Sequence, residues 1–203
     1  MLLNRLYNFH WIVRGDAARS SQSWLGALGS FLASNGLKSV INLRGPHPDL
    51  AWWRYETGTC ARLGVAHFDA MMDSRRLPLR PMLAGLFDAF DAATRPFVVK
   101  CSGGQDRTSL AAALYIVHRD GWTAMDRAQK QFQSLPFLHL PRDHQRWLRQ
   151  FLGFAREQAN GAPLAEWVRR EYDPQRLADW LDANGFAGLY NGIWEPWKPR
   201  ARQ

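Results

Sequence analysis

Apolar positions along this chain fall into two spacings that take turns. Short runs with β-branched residues read as strands at 8–13, 38–43 ("KSVINL"), 65–68 ("VAHF") and 96–100 ("PFVVK"). Between them, apolar residues recur every three or four positions. Trp24, Leu28 and Phe31 predict a helix, with Ser23 as its N-cap and Gly36 as its stop. A second helix is expected over 50–63, and Leu79, Leu83, Leu86 and Phe90 mark a third. Leu110, Leu114 and Val117 mark a fourth. The stretch "RGDAARSSQ" (14–22) reads as a turn, and "DAMMDSRRLP" (69–78) has neither period and reads as a loop. Strands alternating with helices from 38 to 120 imply an α/β fold, with a central mostly parallel sheet of four to five strands and helices on both faces. Beyond 120 only helical spacing appears: Met125, Ala128, Phe132; then Trp147, Phe151, Phe154; then two shorter segments at 163–172 and 174–183. This predicts a helical C-terminal extension.

Composition narrows the setting. The 203 residues suit one domain with a small appendage, and 46% hydrophobic content with 13% aromatic content is enough for a packed core. The net charge of +8 points to anionic partners without choosing among them. Two cysteines cannot supply a disulfide framework or a four-cysteine zinc site, which fits a reducing cytoplasm. The N-terminus lacks a signal-peptide pattern, and no run approaches the ~20 apolar residues of a membrane span. A soluble, unprocessed protein is expected.

One stretch concentrates chemistry: "VVKCSGGQDRTSL", residues 98–110. An apolar strand ends at Cys101; Ser102, Gly103, Gly104, Gln105 and Asp106 form a loop; Arg107 and Thr108 begin a helix. A loop between the carboxyl end of a parallel strand and a helix N-terminus is a ligand position in α/β proteins. Glycines let unpaired N–H groups converge on an anion, and an arginine adds a two-pronged fork for phosphate oxygens. A cysteine in that field is expected to be a thiolate, poised for in-line attack on phosphorus. The expected phosphate-binding set is Ser102, Gly103, Gly104, Gln105, Asp106 and Arg107. The competing reading is a plain glycine turn with Cys101 as a small buried apolar side chain.

"CSGGQDRT" resembles the C-x5-R-[ST] loop of the cysteine-dependent protein tyrosine phosphatases, and is most similar to the compact bacterial dual-specificity-like branch. "RSSQ" (19–22) resembles that branch's "R-S-x-Q" turn, and "VINLRG" (40–45) its "V-I-x-L-R" strand. The resemblance spans roughly residues 8–155. It implies residues 1–160 as the catalytic domain, with 161–203 as a helical extension and basic aromatic tail docked on it. It implies a phosphocysteine intermediate, Cys101 as nucleophile, Arg107 as phosphate ligand, and Thr108 bonding the thiolate or orienting water. Two aspartates compete for the general acid. Asp73 stands in the loop comparable to the family's acid loop, with Asp69 nearer the strand end. Asp106 stands inside the phosphate loop, as in some phosphoinositide-directed relatives. Lys100 departs from the family, which has His before the cysteine.

The remaining candidates are weighed against ordinary roles. Arg75, Arg76 and Arg80 could take a second phosphate or form a solvated basic loop; Arg44 could edge the same pocket or pair with a carboxylate. Cys60 reads as a buried thiol, with a resolving thiol as the alternative. The histidines, His139 and His144 included, show no metal-ligand grouping, so no metal and no cofactor are expected. Trp194 and Trp197 in the tail could touch a membrane surface or pack onto the body; packing is the ordinary reading. No nucleic-acid motif appears. The expected activity is phosphomonoester hydrolysis on a phosphorylated protein, of tyrosine or dual specificity, or on a small phosphorylated molecule, with inorganic phosphate or another oxyanion fitting the loop. A phosphoinositide or other polyphosphate phosphatase, and a phosphate-binding module with little turnover, are the alternatives.

Overall fold

The computed structural model describes residues 2–24 and 26–196. In chain order the first half contains α1 (Leu2–Leu6), β1 (His10–Val13), β2 (Ala17–Ser20), α2 (Leu28–Ser34), β3 (Ser39–Asn42) and α3 (Ala51–Leu63). There follow β4 (Ala66–Asp69), α4 (Arg80–Ala92), β5 (Phe97–Lys100) and α5 (Asp106–Asp120). The rest is helical: α6 (Met125–Gln129), α7 (Trp147–Ala159), α8 (Leu164–Arg170) and α9 (Pro174–Ala183). The sheet order is β1-β2-β5-β3-β4, parallel except for the β1–β2 pair at one edge. This is the expected α/β architecture, with five strands.

The sheet divides the core in two. Val40, Val98 and Ala18 pack with Phe31, Leu32 and Cys60 beneath α2 and α3. Ile41, Phe97, Val99 and Cys101 pack on the other face against residues of α4, α5 and α7. Helix α5 runs through the middle of that second layer, and every residue from Thr108 to Val117 is buried. A helix enclosed all round needs no polar stripe. The C-terminal helices share this layer: Trp167, Tyr172 and Leu177 belong to the same cluster as β5. Among the described residues, no helix is long and apolar enough to cross a membrane.

Two sequence expectations are corrected. Residues 14–22 are not all turn, because Ala17–Ser20 form the fully buried strand β2 between β1 and β5. "AARS" carries no β-branched residue, and it is a strand because β5 offers it a parallel partner in register from Ala17↔Phe97 to Ser20↔Lys100. Helix α2 begins at Leu28 with Ala27 as N-cap, not at Ser23. Gly26, in the left-handed region at φ +69°, separates exposed Trp24 from the helix. The stop at Gly36 stands as expected: its N–H reaches the Ala33 carbonyl at 3.1 Å, and Leu37 N–H reaches Leu32 at 3.0 Å.

Candidate active site

Cys101 follows the last residue of β5, between the carboxyl ends of β2 and β3, where the strand order doubles back. That is the crevice in which open parallel sheets bind ligands. Helix α5 starts at Asp106 with Gln105 as N-cap, so residues 101–107 curl around the first turn's unpaired N–H groups.

The curl is held from outside. Arg19, from β2, is fully buried. Its guanidinium donates to the carbonyls of Gly104 at 3.1 Å and Gln105 at 3.4 Å, and to Ser109 Oγ at 2.8 Å. Its other arm grips the Gln131 carbonyl and side chain, each at 3.0 Å. Asn8 Nδ2 adds a second donor to the Gly104 carbonyl at 3.2 Å. Drawing these carbonyls outward turns the peptide N–H groups inward. Burial pushes the Arg19 guanidinium down to about 9, with negative charge at Cys101 acting against the shift. Gly104 is required at the centre of the curl. Its φ is +65°, and a Cβ there would lie 2.5 Å from Ser21 N and 2.6 Å from the Ser20 carbonyl carbon.

Cys101 is the focus of this field. Complete burial alone would push its thiol up. The Arg107 charge, the Thr108 hydroxyl, and the N–H groups of Gly104 and Gln105 together bring it below the usual cysteine value. Thr108 Oγ1 donates to Sγ at 3.1 Å. Arg107 donates to Ser102 Oγ at 2.9 Å and toward the Leu43 carbonyl at 3.5 Å, which sets its fork at the open side of the loop.

That side opens into a cavity of about 390 Å³ lined by Arg44, His47, Met71, Asp73, Arg75, Ser102 and Arg107, among others. Asp73 therefore lines the same cavity as Ser102 and Arg107. Its Oδ1 accepts the N–H groups of Arg75 at 2.7 Å and Arg76 at 3.3 Å. Asp106 is turned elsewhere: Gln145 Nε2 donates to its Oδ2 at 3.0 Å, and His139 Nδ1 lies 3.3 Å from Oδ1. Gln145 also donates to Ser74 Oγ at 3.0 Å, bridging the loop after Asp73 to the start of α5. Asp69 is occupied at the end of β4, accepting from Asn42 at 2.6 Å and from the Trp53 indole.

Beneath the loop lies a buried charge cluster. Lys100 turns away from the cavity and meets Glu56 Oε1 at 2.6 Å. It also donates to Gln22 Oε1 at 2.9 Å. Glu56 accepts from Gln22 Nε2 at 2.6 Å and contacts His67 Nε2 at 2.9 Å. Burial works against the Glu56 charge, and His67 with Lys100 overcomes it, leaving the carboxyl below its usual range. Burial brings Lys100 down to about 8 even though Glu56 opposes the shift. Gln22 also accepts from Arg44 at 3.2 Å, and the Arg44 guanidinium lies 3.6 Å from the Trp52 ring centre. The cluster thus fixes one cationic wall of the cavity.

Sequence reasoning named Arg44 and Lys100 but passed over Arg19, Gln22, Glu56, His67 and Gln145. Arg19 and Gln22 lie in the "RSSQ" stretch whose resemblance was noted. Nothing in the spacing of Glu56, His67 and Gln145 pointed to them. Cys60 is buried on the opposite face of the sheet from Cys101, and burial beside Glu56 pushes its thiol up to about 12. It is an ordinary buried thiol by placement. Among the described residues, no group of His, Cys, Asp and Glu could hold a metal ion. Trp194 lies half-buried and lines a cavity with Asp73, whereas Trp197 lies outside the described residues.

No family model and no curated protein matches the sequence. Solved structures do. TpbA from P. aeruginosa is 17% identical, with a TM-score of 0.52 over 87% of this chain and 92% of that one. Tk-PTP in its active form is 15% identical, with a TM-score of 0.55 over 71% of this chain and 95% of that one. A putative phosphatase (DUF442) from Shewanella putrefaciens CN-32 is 17% identical, with a TM-score of 0.52 over 75% and 97%. This chain has the fold of the cysteine-dependent protein tyrosine phosphatases.

Proposed function

We propose that this protein is a phosphomonoester hydrolase working through a phosphocysteine, with tyrosine or dual specificity. The observation that carries the reading is Cys101: a wholly buried thiol held below its ordinary value by Arg107, Thr108 and inward-turned N–H groups. A structural thiol in an apolar site would shift the other way, as Cys60 does.

In this mechanism Arg107 and the N–H groups of the 102–107 loop bind the phosphate oxygens. Cys101 Sγ attacks phosphorus and the bond to the leaving oxygen breaks. Asp73 gives that oxygen its proton, then takes one from the water that hydrolyses the S–P bond. Phosphate leaves and the thiolate is restored. The loop donors stabilise the charge on the equatorial oxygens throughout. Thr108 stabilises Sγ as leaving group in the second step. Support for Asp73 is its place in the cavity beside Arg107, while Asp106 accepts from Gln145 and has His139 3.3 Å away. A TpbA variant has been crystallised in complex with phosphotyrosine (pTyr), in keeping with an aryl phosphate here.

A second reading, a polyphosphorylated small-molecule substrate, is favoured by the extra cations Arg44 and Arg75 in the same cavity. We assign residues 1–160 to the catalytic domain and 161–203 to an extension, of which residues 161–196 dock on it and 197–203 lie outside the described residues. A nucleophilic thiol needs reducing surroundings, so we place the protein in the cytoplasm.

Hydrolysis of aryl phosphates in the presence of a chelator tests the assignment. Turnover should survive chelation and vanish in Cys101→Ser. Asp73→Asn should remove the basic limb of the kcat–pH profile, and Asp106→Asn should leave it. Phosphate binding without turnover of any aryl phosphate would replace the enzyme with a binding module.

A further inference from the structure

The backbone beyond Asp73 is fastened by chain from far downstream. The Arg75 carbonyl accepts Asn191 N–H at 2.7 Å. Leu77 N–H donates to the Gly192 carbonyl at 2.9 Å, and the Leu77 carbonyl accepts Trp194 N–H at 2.9 Å. These bonds make a short parallel pairing centred on Leu77 and Ile193. Just beyond, the Pro78 carbonyl accepts the buried Tyr172 hydroxyl at 2.8 Å, and Arg80 Nε donates to the Tyr172 carbonyl at 2.6 Å. Every one of these partners belongs to the C-terminal extension.

The fastening bears on one carboxylate. Arg75, whose carbonyl Asn191 holds, is also the residue whose N–H grips Asp73 Oδ1. The Arg75–Arg76 peptide unit carries both contacts, since its carbonyl accepts from Asn191 and its N–H, on Arg76, donates to Asp73 Oδ1 at 3.3 Å, so holding that unit bears on where the Asp73 carboxylate sits. Asp73 also lines a second cavity, of about 650 Å³, whose far wall is residues 191–196. The carboxylate thus stands between the phosphate cavity on one side and the C-terminal segment on the other. A loop that carries a general acid must hold it to within about an ångström, or the contribution of proton transfer is lost.

We propose that residues 191–194 are a positioning strap for the acid loop. Through three main-chain hydrogen bonds they keep Asp73 poised over the phosphate cavity, so that protonation of the leaving group depends on the C-terminal extension. The inference rests on the reading of Asp73 as the acid.

The test uses the full chain and a series of aryl phosphates running from dinitrophenyl, which leaves without a proton, to phenyl, which needs one. Asn191→Pro with Trp194→Pro removes both strap donors. Trp194→Ala, which keeps its N–H, controls for loss of the indole. Asp73→Asn measures what the acid is worth. In the double proline variant kcat/KM, which reports only the steps up to departure of the leaving group, should fall on the order of tenfold or more for phenyl phosphate, and within about threefold for dinitrophenyl phosphate, with vanadate affinity unchanged. Trp194→Ala should show no such dependence on the leaving group. An equal loss across the series, or no loss, overturns the strap while Asp73→Asn still shows the steep dependence. If Asp73→Asn shows none, the acid reading itself fails, and the strap with it. Near-ultraviolet circular dichroism reports folding; if the double variant does not fold, Asn191→Pro alone carries the same comparison.

Discussion

Removing Glu56 should cost this protein more stability than removing the lysine it pairs with. Both side chains are almost wholly buried, at 1% and 3% exposure, and their charged atoms are 2.6 Å apart. In Glu56→Gln, Lys100 stays buried with no carboxylate and with Arg44 nearby, which already disfavours its charge. Breaking a buried pair from one side costs about 3–5 kcal/mol. In Lys100→Met, Glu56 keeps His67 at 2.9 Å and Gln22 at 2.6 Å, so about 1–2 kcal/mol is expected. The double variant leaves no stranded charge and should fall short of the summed single losses by about 2 kcal/mol. Urea unfolding of the four proteins measures this cycle. The pH dependence gives a second reading, best taken in Cys101→Ser to silence the thiol. Lys100 is near 8 in the fold against 10.5 as its ordinary value. The unfolded chain therefore binds the extra proton between those limits, and stability should rise with pH there, by about 3 kcal/mol for this group. Losing Glu56 lowers the folded value further, so the rise should begin at lower pH. A Glu56→Gln loss under about 0.5 kcal/mol, or strict additivity in the double variant, would refute the argument.

Other consequences follow from the loop at residues 101–108. Thr108→Val removes a hydrogen bond to a thiolate, worth about 1.5–3 kcal/mol. The midpoint of Cys101 alkylation by iodoacetamide should rise by about one to two pH units; an unmoved midpoint would show that the hydroxyl does not stabilise the charge. Gly104→Ala places a methyl against the Ser20–Ser21 backbone at a positive φ, so vanadate affinity should drop at least ~10-fold with a loss of ~1–3 kcal/mol in stability. Calorimetry showing wild-type affinity would mean the curl is not needed.

Strands β3 and β5 and the glycine loop were legible because they are local. "KSVINL" and "PFVVK" are strands by composition, and "CSGGQDRT" announces its turn through two glycines. Strand β2 was not legible, since "AARS" becomes a strand only through pairing with β5. Asp73 and Asp106 were both plausible acids along the chain. They separate only in space, where Asp106 meets Gln145 and His139 while Asp73 faces Arg107's cavity. The odd Lys100 finds its explanation in Glu56 and His67, from a helix and a strand with no spacing in common with it.

The sequence by itself determined the alternating elements and the cysteine and arginine of the loop after β5, because backbone propensity and a seven-residue loop are short-range properties. Tertiary structure alone decided which aspartate lines the cavity beside Arg107, which carbonyls the buried Arg19 holds, and that residues 191–194 pair with the loop beyond Asp73. Those are matters of long-range packing and paired charge: Leu77 and Trp194, hydrogen-bonded in one short pairing, lie 117 residues apart.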